Sequence, residues 1–163
     1  MRVLDVCCGS KMFWFNKDNP EVHFNDIRNE THTLCDGRSL EISPDTQEDF
    51  TKLSFADRSF KVVVFDPPHL VNLGESSWMA KKYGILKGNW KEAIRKGFEE
   101  CFRVLDFDGL LIFKWNETQV KTSEVLTLAP KPPLFGHRSG KAMNTHWITF
   151  INDPAPAINK VAI

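Results

Sequence analysis

The chain has 163 residues, 42% hydrophobic and 26% charged, with a formal net charge of zero. That is enough chain to bury one core and too little for a second domain of ordinary size. No apolar run approaches the length of a membrane span, so no membrane association is expected, and four cysteines (Cys7, Cys8, Cys35, Cys101) without a CxxC pair argue against a metal site or a disulfide framework.

In chain order, residues 2–7 read as a strand, 10–17 as a short helix and 22–25 as a second strand. The start at Met1 enters that first apolar segment, with Asp5 inside it, unlike a signal peptide, so a cytoplasmic protein is expected. Residues 61–65 are apolar without alternation after Lys61, the pattern of a central parallel strand covered on both faces. A helix over 90–104 sets Ile94, Gly97, Phe98, Cys101 and Phe102 on one stripe, with Asn89 and Glu92 spaced as a capping box. Asp106 to Gly109 reads as a turn before a strand at 110–114, and further strands are expected at 125–128 and 146–151. This alternation predicts an α/β, Rossmann-like fold: a mostly parallel central sheet, helices on both faces and an antiparallel strand near the C-terminus. One domain is expected over residues 1–152, followed by a Pro-containing tail over 153–163 that frays.

In such sheets ligands bind outside the carboxyl ends of the strands, near the point where strand order reverses. The candidate polar residues fall there. Asp5-Val6-Cys7-Cys8-Gly9-Ser10 ends the first strand, and the helix expected after it would aim its backbone amides at an anionic group. Asp26 ends the second strand, where a carboxylate accepts hydrogen bonds from vicinal ribose hydroxyls. Lys11 stands where GxG would need its second glycine, which argues against a nicotinamide or flavin cofactor. The segment 136–142 lacks the spacing of a P-loop.

Asp66-Pro67-Pro68-His69 follows the apolar strand directly. Two prolines stop the strand, fix two φ angles and supply no amide donors, leaving rigid carbonyl oxygens beside a carboxylate. Such an acceptor-only claw suits an exocyclic amino group or a primary amide, and His69 would stack on a planar substrate. Among the charges, Lys81, Lys82, Lys87, Lys91, Arg95 and Lys96 face only Glu92 in that stretch, and Arg138 and Lys141 lie on a segment expected to be a loop over 130–143. The loop over 70–88 carries Gly74, Gly84, Gly88, Ser76 and Ser77 beside Trp78, Met79 and Tyr83, a composition suited to a lid.

These residues resemble a family. The segment 5–10 looks like the cofactor loop of class I S-adenosylmethionine-dependent methyltransferases, and Asp66-Pro67-Pro68-His69 looks like the (D/N)PP(Y/F/W) motif of those that methylate amino groups. The run from Asp49 and Phe50 to Val64 is similar to the family's adenine-binding segment and the strand after it. The resemblance spans about residues 2–115 and is nearest to DNA adenine-N6 and cytosine-N4 methylases and short stand-alone bacterial and phage enzymes. It implies S-adenosyl-L-methionine as cofactor, bound by Asp5, Cys7, Gly9 and Ser10 with Gly9 under the methionyl part, by Asp26 at the ribose, and by Asp49 and the Phe50 amide at the adenine. Asp66, Pro67, Pro68 and His69 would hold the acceptor nitrogen, with Tyr83, Lys81, Lys82, Arg138 and Lys141 toward a nucleic-acid substrate. Lys11 and His69 depart from the family pattern, and the chain has space only for short substrate loops. Three expectations follow: methylation of a nucleobase amino group, methylation of a protein amide or small molecule, or a catalytically silent methyltransferase-like binding protein.

Overall fold

The structure, a computed structural model, describes residues 2–34, 36–74 and 77–153; Cys35, Ser76 and the tail beyond Asp153 lie outside them. The elements in order are β1 (Val3–Asp5), β2 (Val22–Phe24), β3 (Glu30–Thr33), β4 (Ser39–Ile42), β5 (Phe60–Phe65), α1 (Trp78–Tyr83), α2 (Trp90–Val104), β6 (Leu105–Asn116), α3 (Thr122–Leu126), β7 (Phe135–Ser139) and β8 (Thr145–Ile151). The main sheet runs β2-β1-β5-β6-β8-β7, with β3 and β4 paired apart from it. β2, β1, β5 and β6 are mutually parallel, while β8 is antiparallel to both β6 and β7.

The apolar run of β5 sits in the middle, with Val63 and Phe65 fully buried. Register carries one face from Leu4 through Val63 and Leu111 to Phe150. α2 packs there, laying Ile94, Phe98 and Cys101 against Phe65, Phe113 and Phe150. Asn89 caps its start, Oδ1 accepting from the Glu92 amide at 3.3 Å, while the Glu92 carboxylate pairs with Arg95 instead of completing the capping box. Gly97 is required at this contact, because a Cβ there would lie 2.6 Å from Phe65 Cζ and 2.8 Å from Phe50 Cδ2.

On the opposite face the expected helix over 10–17 does not form. Gly9 and Lys11 adopt left-handed φ values of 50° and 54°, and the consecutive rings of Phe13 and Trp14 both pack inward, Phe13 edge-on to Trp147 and Trp14 edge-on to Phe24. Helical geometry would splay neighbouring side chains about 100° apart, so an irregular loop buries both. Lys11 takes the backbone conformation for which a glycine would be the usual choice.

Two further expectations change. Residues 125–128 are not a strand: α3 forms instead, with Thr122 and Val125 buried three residues apart, and so short an apolar run does not by itself distinguish the two. The expected turn at 106–109 is a bulge inside one continuous β6, since pairing jumps from Phe60↔Leu105 to Val62↔Leu110, with Asp108 at φ 57°. No helix among the described residues is long and apolar enough to cross a membrane.

Candidate active site

A cleft of about 650 Å³ opens at the carboxyl ends of β1, β2 and β5, where strand order reverses about β1. Cys7, Gly9, Ser10, Asp26, Asp49, Phe50, Asp66, Pro67, Pro68, His69, Lys81, Lys82 and Tyr83 all line it. The sequence-predicted residues outside it are Asp5, Arg138 and Lys141. Asp5 lies beneath the cofactor-type loop, fully buried, accepting from Trp14 Nε1 at 2.7 Å and from the Cys7 amide at 3.3 Å. Burial pushes its carboxyl up to about 7, against the opposing pull of the Trp14 hydrogen bond. Arg138 belongs to the edge strand β7 rather than to a loop, and Lys141 follows it, two strands beyond β6.

On the β1–β2 side the walls are hydrogen-bonded together. The Gly9 amide donates to Asp26 Oδ2 at 2.8 Å, and the amide and Nε of Arg28 donate to Asp26 Oδ1 at 2.9 and 3.2 Å. Arg28 also reaches across the cleft, its Nη1 donating to the Lys81 carbonyl at 2.9 Å. Asn25, fully buried, donates to the Val6 and Glu48 carbonyls at 3.0 and 3.1 Å and accepts from Glu48 N and Thr46 Oγ1 at 3.1 and 3.0 Å. It thereby fixes the segment that presents Asp49 and Phe50. Arg103 of α2 holds the same segment from behind through the Leu53 and Phe55 carbonyls, at 2.9 and 2.8 Å.

On the β5 side Asp66 Oδ2 accepts from Lys114 Nζ at 2.5 Å. Burial raises the Asp66 carboxyl and Lys114 opposes that rise. The Lys114 ammonium lies 5.4 Å from the Phe13 ring centroid and 5.6 Å from that of Trp147. His69 stands between Tyr83 and Trp115, with ring centroids at 5.6 and 6.4 Å. Burial, with Lys114 adding to it, lowers the imidazole to about 4, so it is neutral at physiological pH.

Sequence reasoning passed over Asn25, Arg28, Arg103 and Lys114. Only Lys114 had a usable signal, as the last residue of the strand expected at 110–114; the pairing of Phe65 with Phe113 then sets it beside Asp66.

The fold has solved counterparts. The crystal structure of the PH0226 protein from Pyrococcus horikoshii OT3 superposes with a TM-score of 0.58 at 17% identity, covering 92% of this chain and 81% of that one. The N-methyltransferase NodS from Bradyrhizobium japonicum WM9 gives 0.59 at 13% identity, covering 93% and 85%. The fold is the Rossmann-like methyltransferase fold. A third counterpart, the 1,6-didemethyltoxoflavin-N1-methyltransferase from Burkholderia thailandensis, was solved with 1,6-didemethyltoxoflavin and S-adenosylhomocysteine bound, and gives 0.51 at 12% identity, covering 90% and 68%. No family model and no curated protein matches the sequence.

Proposed function

We propose that this chain is a methyltransferase that uses S-adenosyl-L-methionine and methylates an amino nitrogen, that of a nucleobase in DNA or RNA. The observation that carries the reading is the meeting of Gly9, Asp26, Asp49 and Phe50 with Asp66, Pro67, Pro68 and His69 around one cleft.

The residues present fit the donor. A Cβ built on Gly9 would meet only Arg28 Nη2, at 3.9 Å, so the loop is open for close backbone approach. Asp49 Oδ1 accepts from the Thr51 amide at 2.8 Å, leaving Oδ2 for an adenine amino group. The Phe50 ring is packed against Phe65 at 5.4 Å, which directs its backbone rather than its ring to the ligand. When bound, the donor would supply a methyl carbon to the lone pair of the acceptor nitrogen, the carbon–sulfur electron pair staying on sulfur as the carbon–nitrogen bond forms and the surplus proton on nitrogen passing to water.

The protein's own part is positioning. Lys114 occupies Asp66 Oδ2 and favours the ionised carboxylate, so Oδ1 remains to accept one N–H of the acceptor and the Pro67 carbonyl the other. Neutral His69 and Tyr83 offer flat surfaces to a heterocycle, while Lys81 and Lys82 supply cations at the same cleft. The B. thailandensis enzyme, solved with 1,6-didemethyltoxoflavin and S-adenosylhomocysteine bound, favours a second reading in which the acceptor is a free small molecule.

The test is calorimetry with S-adenosylmethionine followed by transfer of a tritiated methyl group to separated DNA, RNA, protein and small-molecule fractions. Label in nucleic acid, abolished by Asp66→Ala with donor affinity kept within a few fold, is the expected result. Label confined to protein or small molecules overturns the nucleobase assignment. Absence of donor binding overturns the enzyme reading and leaves a silent methyltransferase-like binding protein.

A further inference from the structure

We propose that Arg28 is a positioning residue through which occupancy of the donor side of the cleft sets the position of α1 on the acceptor side. The inference rests on the donor reading above.

A carboxylate offers about four lone-pair sites. Asp26 already accepts three donors: the Gly9 amide on Oδ2, and the amide and Nε of Arg28 on Oδ1. A vicinal diol brings two further O–H donors, so one present donor must give way, and Arg28 Nε, at 3.2 Å the longest of the three bonds and the only one from a side chain, is the one free to move. The guanidinium is a rigid planar fork, and withdrawing Nε also draws Nη1 from the Lys81 carbonyl.

That carbonyl lies in the last turn of α1, where the helix provides no partner of its own. Six residues make too short a helix to stand without outside support. The fork also abuts the turn after α1: a Cβ on Gly84 would lie 3.8 Å from Arg28 Cζ and 3.0 Å from Pro68 Cγ. One side chain therefore bonds to the donor carboxylate and to the helix that brings Tyr83 to the cleft, and lies near the turn that packs beside Pro68 of the acceptor motif. Glu30 Oε1, 3.9 Å from Nη1 and 3.1 Å from His32 Nε2, lies close enough to receive the fork when it leaves Asp26. Two alternative arrangements of this kind are what coupling between two sides of a site requires.

The experiment uses the whole chain and S-adenosylhomocysteine as the probe, reading amide hydrogen exchange over residues 78–84. In the wild type the probe should speed exchange there several-fold. In Arg28→Met, exchange should be fast without the probe and unchanged by it. Arg28→Lys keeps the charge but cannot span both partners, so it should behave as Arg28→Met does and carries the test if the methionine variant fails to fold. Both variants should bind the probe at least as tightly as the wild type. Probe binding to the wild type without a response in 78–84, or the wild-type response persisting in Arg28→Lys, overturns the coupling alone. A tenfold loss of affinity in Arg28→Lys overturns it too, because Arg28 would then be holding the donor rather than yielding to it. No probe binding to the wild type overturns the donor reading and the coupling together.

Discussion

The indole Nε1 of Trp14 donates to Asp5 Oδ2 at 2.7 Å, beneath the loop that forms the floor of the cleft. The loop therefore rests on a carboxylate that burial disposes to hold its proton up to about pH 7. The folded value lies above the unfolded one, so the folded state binds the proton more tightly. Stability from this group is full below about pH 4 and declines as pH rises toward 7. Asp5→Asn keeps an acceptor for Trp14 and removes the titration. The unfolding free energy of the wild type relative to Asp5→Asn should fall by on the order of a few kcal/mol from pH 4.5 to pH 7.5, read by chemical unfolding at each pH. A flat difference curve would show that Asp5 does not titrate in this window.

His69 should behave as a neutral ring. Burial and Lys114 hold it down at about 4, so its imidazole resonances should titrate far below the ordinary histidine range. If the chain transfers methyl groups as proposed, His69→Asn should leave the pH dependence of transfer between pH 6 and 8 unchanged in shape while lowering its rate. An inflection near 6.5 that disappears in the variant would assign His69 a proton-transfer role instead.

Asn25→Ala removes a buried side chain that pairs four backbone and side-chain groups. Leaving Val6 and Glu48 groups unpaired should cost roughly 1 to 3 kcal/mol, read as a lower midpoint of chemical unfolding. Because the same bonds fix the segment ahead of Asp49, affinity for S-adenosylhomocysteine should drop about tenfold, although Asn25 does not line the cleft. Unchanged affinity in the folded variant would separate that segment from the donor site.

If nucleic acid is the acceptor, binding of single-stranded oligonucleotides should weaken steeply with salt. Charge reversal at Lys81 or Lys82 should flatten the log–log slope by about one per lost phosphate contact. The same change at Lys141, outside the cleft, should leave the slope alone. A salt-independent interaction would direct attention to protein or small-molecule acceptors.

What the sequence made legible was what local pattern encodes. β5 is visible as an apolar run, and α2 as a three-and-four stripe with its cap. Asp26 and Asp66 converge because each follows the end of a parallel strand, while Asp49 and Phe50 join them from the loop after β4. The loop over 10–17 was not legible, since its path depends on Phe13 and Trp14 finding Trp147 and Phe24, partners distant in the chain. The β3–β4 pair was missed although Asp36-Gly37 and the alternation of β3 and β4 carried a hairpin signal. β7 lacked one, because an exposed edge strand buries too little to impose a pattern. Arg28 carries no local pattern of its own, and only the fold brings Lys81 to it.

The place of β5 between β1 and β6 also bears on how the chain reaches its native state. Its partner on one side is completed before β2, β3 and β4 appear, and its partner on the other follows α1 and α2. Neither pairing can close as a hairpin; each joins distant stretches and must meet the entropy of a long loop before any ladder bond compensates it. During synthesis, β1 therefore emerges well before the strand that will hold it. The slow step of folding is expected to be the capture of β5 between its two parallel neighbours, with the β6–β8 pair following as the more local event.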